Sequence, residues 1–504
     1  MKRRAPLIAA VSFLLGLVFD WLFYGRVPGI SVALYASLIL GLTFYFAERF
    51  KKPLDLAIAW LTPVVAFFSL MVFVRANALL TVINIFIVMY LLLVVARLAY
   101  LPDQGLRQYT ISRYLGLMFS LPRNFMSEAW RFLLGLAASR TASKPKSAAA
   151  PIIRGLLLSV PILALFMILL SSADLVFKQY IGSLFNPSVS AETIFRWGLI
   201  GFVTSLFAGA YALIFMPTDK PQIPTPAKKS PGLGAMESSI ILGSVSTLFL
   251  VFVVVQLAYL FGGSDHIAST GYTYAEYARK GFFELIAVAA ISFALILTIK
   301  RATALRTKSQ NLTFKWLSSV LAAEVTVIML SAHMRLGLYE ETYGFTTLRL
   351  LSHLFVVWLA AAFGLLVFHI IRSNSNNHFA FQLFISILCF FALINIVNPD
   401  AFIARQNINR FNDTGKLDLR YLSTLSEDAL PTTSQLLNNQ NKDVQNSTAN
   451  ILYRQQRSAD RQANDWQSAN AARWRADKIF RDNAAQIEAG KVYIKYPDLD
   501  GTQE

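Results

Sequence analysis

Apolar stretches of roughly twenty residues recur along the whole chain, and a helix needs about that length to cross some 30 Å of hydrocarbon. They fall at 5–24, 29–47, 54–74, 78–96, 152–171, 194–215, 239–261, 282–299, 314–333, 346–371 and 379–397. Lipid offers no partners to backbone N–H and C=O groups, so each such run must satisfy its own, as a helix does. Hydrophobic residues make up 55% of the 504-residue chain and charged ones 15%, against about 25% charged in soluble domains. The expected fold is therefore all-α: a polytopic transmembrane helix bundle of about eleven spans with a helical extracytoplasmic C-terminal tail.

The net charge is +17. Its placement argues against nucleic acid as a partner. From Asn398 to Glu504 the chain holds fourteen Lys/Arg and fourteen Asp/Glu, so the whole excess belongs to the membrane part. Basic residues near the spans alternate with the loops, 24 on one set and 8 on the other. This asymmetry places the N-terminus in the cytoplasm and, after an odd number of spans, the tail outside. The expected location is a membrane that the chain crosses many times. Residues 5–24 read as a retained first span, because the apolar run is longer than a signal core and no small-residue cleavage site stands out.

The expected domains are 1–397, the transmembrane part; 398–437, a helical tail segment; and 438–504, a polar tail. Within the first, 101–150 is basic and aromatic. It reads as helices interrupted by Pro122 and lying on anionic lipid of the inner leaflet. Residues 217–237 form a Pro-rich cytoplasmic linker. In the tail, Asn398-Pro399-Asp400 reads as an N-cap, a first-turn proline and an acid at the positive end of the helix dipole. Gly415 ends that helix. Leu417, Leu419, Leu422 and Leu425 follow. From about 444 to 489 a long amphipathic helix is expected, with Leu452, Ala459, Ala463 and Trp466 on one face.

No sequence motif for a phosphate loop, a zinc protease or a hydrolase elbow is present. The single cysteine, Cys389, excludes an internal disulfide, and no Cys/His spacing suggests a metal site. No cofactor is implied.

By the topology above, several polar groups share the outer face: Asp174; Tyr274, Glu276, Tyr277, Arg279 and Glu284; His333, Arg335, Tyr339, Tyr343 and Arg349; Asn398, Asp400 and Arg405. They suit either a ligand pocket with arginines facing an anion, or a belt of pairs that locks helices at the interface. Inside the membrane, Asp20, Glu324 and His353 stand out. Glu324 is expected either to pair with His353, which would suit proton coupling, or to bond a nearby serine or carbonyl. Asp20 is expected to snorkel or to pair with Arg26 or Arg75.

At these residues the sequence is similar to a known family. The segments Tyr274-Ala-Glu-Tyr-Ala-Arg-Lys-Gly-Phe-Phe-Glu-Leu285, Ser331-Ala-His-Met-Arg-Leu-Gly-Leu-Tyr339 and Asn398-Pro-Asp-Ala-Phe-Ile-Ala-Arg405 carry the likeness. Gly415-Lys-Leu-Asp-Leu-Arg-Tyr-Leu422 and Leu425-Ser-Glu-Asp-Ala-Leu-Pro431 add to it. They resemble a bacterial polytopic membrane family known as domain of unknown function forty-one seventy-three, related to forty-one fifty-three. The resemblance runs from about Ala5 to Leu437. It implies a bacterial envelope protein and brings no activity with it.

The leading functional expectation is a non-catalytic envelope protein that binds a partner or ligand at its outer face. Its partners would be the bilayer, anionic lipid at the inner leaflet and an envelope protein met through the tail. A secondary transporter of a small anionic solute and a membrane-embedded transferase acting at the outer interface are the alternatives. A scaffold should show the outer-face charges mutually paired; an enzyme should show them lining a cavity.

Overall fold

The computed structural model describes residues 4–101, 105–139, 191–216, 232–261, 282–303, 305–372, 376–460 and 465–492. In chain order the helices are α1 (Ala5–Phe23), α2 (Ile30–Arg49), α3 (Ala57–Val74), α4 (Ala78–Tyr100), α5 (Ile111–Ser139), α6 (Ala191–Phe215), α7 (Ala235–Phe261), α8 (Phe282–Ala302), α9 (Lys308–Tyr343), α10 (Thr347–Ile371) and α11 (Asn376–Val397). The tail adds α12 (Pro399–Thr414), α13 (Leu419–Leu422), α14 (Leu430–Thr433), α15 (Lys442–Asp460), α16 (Ala471–Asp482) and α17 (Ala484–Ala489). No strand occurs among the described residues. Ten helices, α1–α4 and α6–α11, are long and apolar enough to cross a membrane. The all-α polytopic bundle is thus the observed fold. The expected span at 152–171 and most of the Pro-rich linker lie outside the described residues.

The helices form two compact units. The smaller comprises residues 1–25 and 119–219. In it α1 packs along α6 through small residues: a Cβ on Gly16 would strike the Thr204 hydroxyl and the Ile200 carbonyl. Gly209 of α6 lies so close to the Phe125 carbonyl of α5 that any Cβ would collide with it. Without a hydrophobic drive between lipid-bathed helices, such close backbone approach supplies the packing energy.

The larger unit comprises residues 26–118 and 220–504. Helices α7–α11 share an apolar core that includes Leu242, Ala289, Ile296, Leu321, Phe363 and Phe379. The tail has cores of its own. Leu417, Leu419, Leu422 and Leu425 are buried with Ile403, Ala404, Val444 and Ile451. Leu430, Leu437, Leu452, Phe480 and Ile487 form a second cluster.

Three local expectations need correcting. Helix α5 runs unbroken through Pro122; one proline removes a single backbone donor, which a helix with other support tolerates. The stretch 444–489 is not one helix. Helix α15 ends at Asp460, Trp466 opens a 3-10 turn and stands 51% exposed, and Ala463 lies outside the described residues. Asn470 starts a fresh helix by accepting from the N–H groups of Ala472 and Arg473. Asn398 makes no side-chain cap; it sits in the left-handed region at φ 55°. Pro399 and Asp400 do occupy the first turn of α12, and Gly415 ends it at φ 71°.

Candidate functional site

Helices α9 and α10 form a hairpin, and their facing sides carry a chain of three ionisable groups. His333 and Glu340 are seven residues apart on α9 and therefore share a face. His353 of α10 lies between them. Its Nδ1 is 2.8 Å from His333 Nδ1 and its Nε2 is 3.0 Å from Glu340 Oε2. The two rings meet edge to face at 4.3 Å. Glu340 is 4% exposed, and its Oε1 is buried with no hydrogen-bond partner.

Glu324 stands nine residues before His333, about half a turn around α9 from it. It does not pair with His353. Instead Ser246 of α7 approaches both its oxygens, at 2.9 and 2.8 Å, and both residues are buried. One hydroxyl proton serves one of these contacts; a carboxyl O–H donating back would serve the other. The serine-bonded alternative is the one observed. Asp20 pairs with Arg196 of α6, whose Nε lies 3.1 Å from Asp20 Oδ1. The expected partners are engaged elsewhere: Arg26 with Asp465 at 3.0 Å, and Arg75 with the Asn395 carbonyl at 2.8 Å. Arg196 is the better match because it approaches with two nitrogens, a fork that fits a carboxylate.

The α9–α10 turn is held from both sides. Arg349 donates to the Gly344 carbonyl and lies 4.0 Å over the Tyr339 ring, which itself meets Tyr343 at 4.8 Å. From the tail, Asn407 of α12 accepts from the Phe345 N–H at 2.7 Å and donates to the Phe345 carbonyl at 2.9 Å. The Tyr421 hydroxyl accepts from the Thr347 N–H at 2.7 Å.

A second contact set ties the tail to the α3–α4 turn. Asp428 is buried and accepts from the N–H groups of Ala76 at 2.7 Å and Asn77 at 3.3 Å. Arg75 and Arg475 flank its other oxygen at 3.8 and 3.9 Å. Burial pushes the Asp428 carboxyl above the usual carboxylate range, and the Ala76 N–H and Arg75 pull it back only in part. Asp400 accepts from the Asn77 amide at 2.9 Å, the Ser426 N–H at 3.0 Å and the Ser426 hydroxyl at 2.6 Å. Asn77 in turn caps α4 through the Leu80 N–H. Beneath this layer Asn84 and Asn395 exchange side-chain amide bonds at 2.8 Å, both fully buried.

The sequence-derived residues are thus sorted into separate contacts. His333 and His353 come together; Tyr339, Tyr343 and Arg349 come together; Asp400 joins the tail clamp. Glu284 is exposed in the first turn of α8, Arg405 is exposed on α12, and Arg335 is half-buried on α9. Asp174, Tyr274, Glu276, Tyr277 and Arg279 lie outside the described residues. Sequence reasoning missed Glu340, Asp428, Asn77 and Ser426. Asn77 had a signal, a capping residue just before an apolar run. Asp428 had none, since the groups it accepts from are backbone N–H groups on the distant α3–α4 turn. No group of three potential metal ligands is found among the described residues.

A family model described as Domain of unknown function (DUF4153) matches residues 63–436. This is the second of the two related families that the motifs resemble. The matched span includes His333, Glu340, His353, Asp400 and Asp428, and it stops before α15. No curated protein and no solved structure matches the chain. The matched residues make up well over half of the sequence, and the chain belongs to the DUF4153 family.

Proposed function

We propose that this integral membrane protein is a non-catalytic, partner-binding component of the bacterial inner membrane, displaying a folded helical tail on the extracytoplasmic side. The observation that carries the reading is the clamp of Asp400 and Asp428 on the α3–α4 turn. Two buried carboxylates, bonded to backbone and amide donors, hold the tail in one pose at the end of the bundle. A tail fixed in this way presents a defined surface, as a docking module must. Asp400, Asp428, Asn77, Asn407 and Arg349 bond to one another or to backbone, which favours helix locking over a reactive cleft. The excess of basic residues on alternate loops supports a cytoplasmic N-terminus, with anionic lipid against α5. Secondary transport of a small anionic solute is the second reading, favoured by the ionisable groups between α9 and α10.

The test has two parts. With Cys389 replaced by Ala, single cysteines at the exposed Asp477 and Glu488 should react with an impermeant thiol reagent on intact cells. Labelling only after permeabilisation would reverse the orientation. A photoreactive residue at the exposed Gln435, Asp477 or Glu488 should then give a discrete cross-linked adduct that Asp428→Ala abolishes. No adduct at any of these sites removes the partner-binding reading.

A further inference from the structure

We infer that Glu340, His353 and His333 form a proton-binding relay that takes up one proton and passes it along the α9–α10 interface. The inference stands apart from the partner-binding reading and would survive its failure.

The hydrogen-bond chemistry fixes how the relay works. With Glu340 ionised, its Oε2 accepts, so His353 Nε2 must carry a hydrogen. A neutral His353 then has a bare Nδ1, and the 2.8 Å contact requires His333 Nδ1 to donate to it. The resting chain is carboxylate, neutral His353, neutral His333. A proton arriving at His333 Nε2 makes that ring an imidazolium. The Nδ1 proton of His333 crosses the 2.8 Å contact to His353 Nδ1. The charge then rests on His353, facing the Glu340 carboxylate, and His333 is left neutral with its hydrogen on Nε2. One N–H bond forms at each step and one breaks. The charge moves from His333 toward Glu340, which lie roughly 10 Å apart along α9 at about 1.5 Å per residue.

The same geometry limits the load to one proton. Two imidazolium rings with centroids 4.3 Å apart would repel, and only one carboxylate faces them. Other charged groups on the elements packed here include Arg335 and Glu341 on α9, Arg349 on α10, Asp400, Arg405 and Arg410 on α12, and Glu284 in the first turn of α8. Arg349 is committed to the Gly344 carbonyl and the Tyr339 ring, and Arg410 Nε to the Glu341 carbonyl. Glu340 is the far end of the relay: its Oε2 faces His353 Nε2 and its Oε1 is buried with no hydrogen-bond partner, so the charge comes to rest on His353 against the carboxylate.

The test uses the full chain with 15N-labelled histidine, purified in detergent. The protein has five histidines, so the His333 and His353 signals can be assigned from His333→Gln and His353→Gln. Between about pH 5 and 8 the two signals should move together in one step with a combined uptake of one proton. In Glu340→Gln that shared step should vanish from the same range, while the other histidines behave as in the wild type. Two independent steps of full imidazolium amplitude, or no step at either ring, would overturn the relay. The wild-type proton count decides the matter even where a variant fails to fold.

Discussion

The Asn470 side-chain amide donates to the Arg75 carbonyl at 2.8 Å, so a residue of the C-terminal tail completes the end of a membrane helix. The same amide reaches the Val72 carbonyl at 3.1 Å, and Ile30, at the start of α2, donates to the Ala469 carbonyl at 3.1 Å. The last carbonyls of α3 and the first N–H of α2 are groups that no helix can satisfy internally. Ala469 and Asn470 of the tail satisfy them, although they lie beyond the stretch matched by the family model.

Asn470→Ala should therefore loosen the tail by about 2–3 kcal/mol, combining the loss of an N-cap with unsatisfied carbonyls at α3. Asn470→Asp keeps the cap acceptor but loses both donors, so it isolates the docking share. Limited proteolysis of the tail checks this. Equal resistance of Asn470→Asp and wild type would mean that the two carbonyl contacts carry no docking energy.

Asp428→Ala leaves the Ala76 and Asn77 N–H groups and Arg75 without their acceptor, and breaking such a buried arrangement costs about 3–5 kcal/mol. The pH dependence has a defined sign. The Asp428 carboxyl is raised above the usual range by burial, so its contribution is fully present at low pH and falls away as the pH rises through its folded value. The stability difference between wild type and Asp428→Asn should thus shift in favour of wild type as the pH is lowered. A melting series of both proteins from neutral to mildly acid buffer measures it, and a flat difference would show that Asp428 titrates as it does in the unfolded chain.

The spans were legible because lipid imposes one rule on every residue of a crossing helix, and twenty apolar residues in a row announce it. The tail was legible only in its leucines. Leu417, Leu419, Leu422 and Leu425, the apolar residues that stand out there, are all buried. The break between Asp460 and Asn470 was not, because the polar Ala/Gln-rich stretch keeps high helix propensity throughout while Trp466–Asn470 are claimed by α2 and α3. The relay was half legible. His333 and His353 stood out as rare ionisable groups, but Glu340 is one of two adjacent glutamates, and spacing alone does not say which turns inward. Asp428 hides for a related reason: its partners are backbone N–H groups, and every residue has one.

The smaller unit offers a steric prediction. Gly209→Ala sets a methyl against the Phe125 carbonyl, with the Ala129 N–H close behind, and backbone cannot step aside as a side chain can. Overpacking of this kind costs about 1–3 kcal/mol. Gly201 on the same helix has open space around its would-be Cβ. There Gly→Ala should be neutral or gain up to about 1 kcal/mol of helix propensity. Thermal unfolding of the pair in one detergent separates the two effects, and equal melting points would mean that α5 and α6 do not approach this closely.

Glu324 separates a structural from a functional acid. A mid-span carboxyl costs about 2.5–3.5 kcal/mol to insert, and here Ser246 supplies its side-chain contacts. If the residue only locks α9 to α7, replacing the pair by apolar groups should be neutral or stabilising, since a buried polar pair seldom outperforms good packing. Ser246→Ala alone should destabilise by about 1–3 kcal/mol, because it strands the carboxyl without a partner. Glu324→Leu combined with Ser246→Ala should recover that loss. Melting of the wild type and the two variants gives the answer by the sign of one number. Recovery in the double variant marks the pair as a lock between helices. A double variant still less stable than Ser246→Ala would show that Glu324 is held by contacts beyond Ser246, and the two helices would then have to be viewed as flanking a polar path.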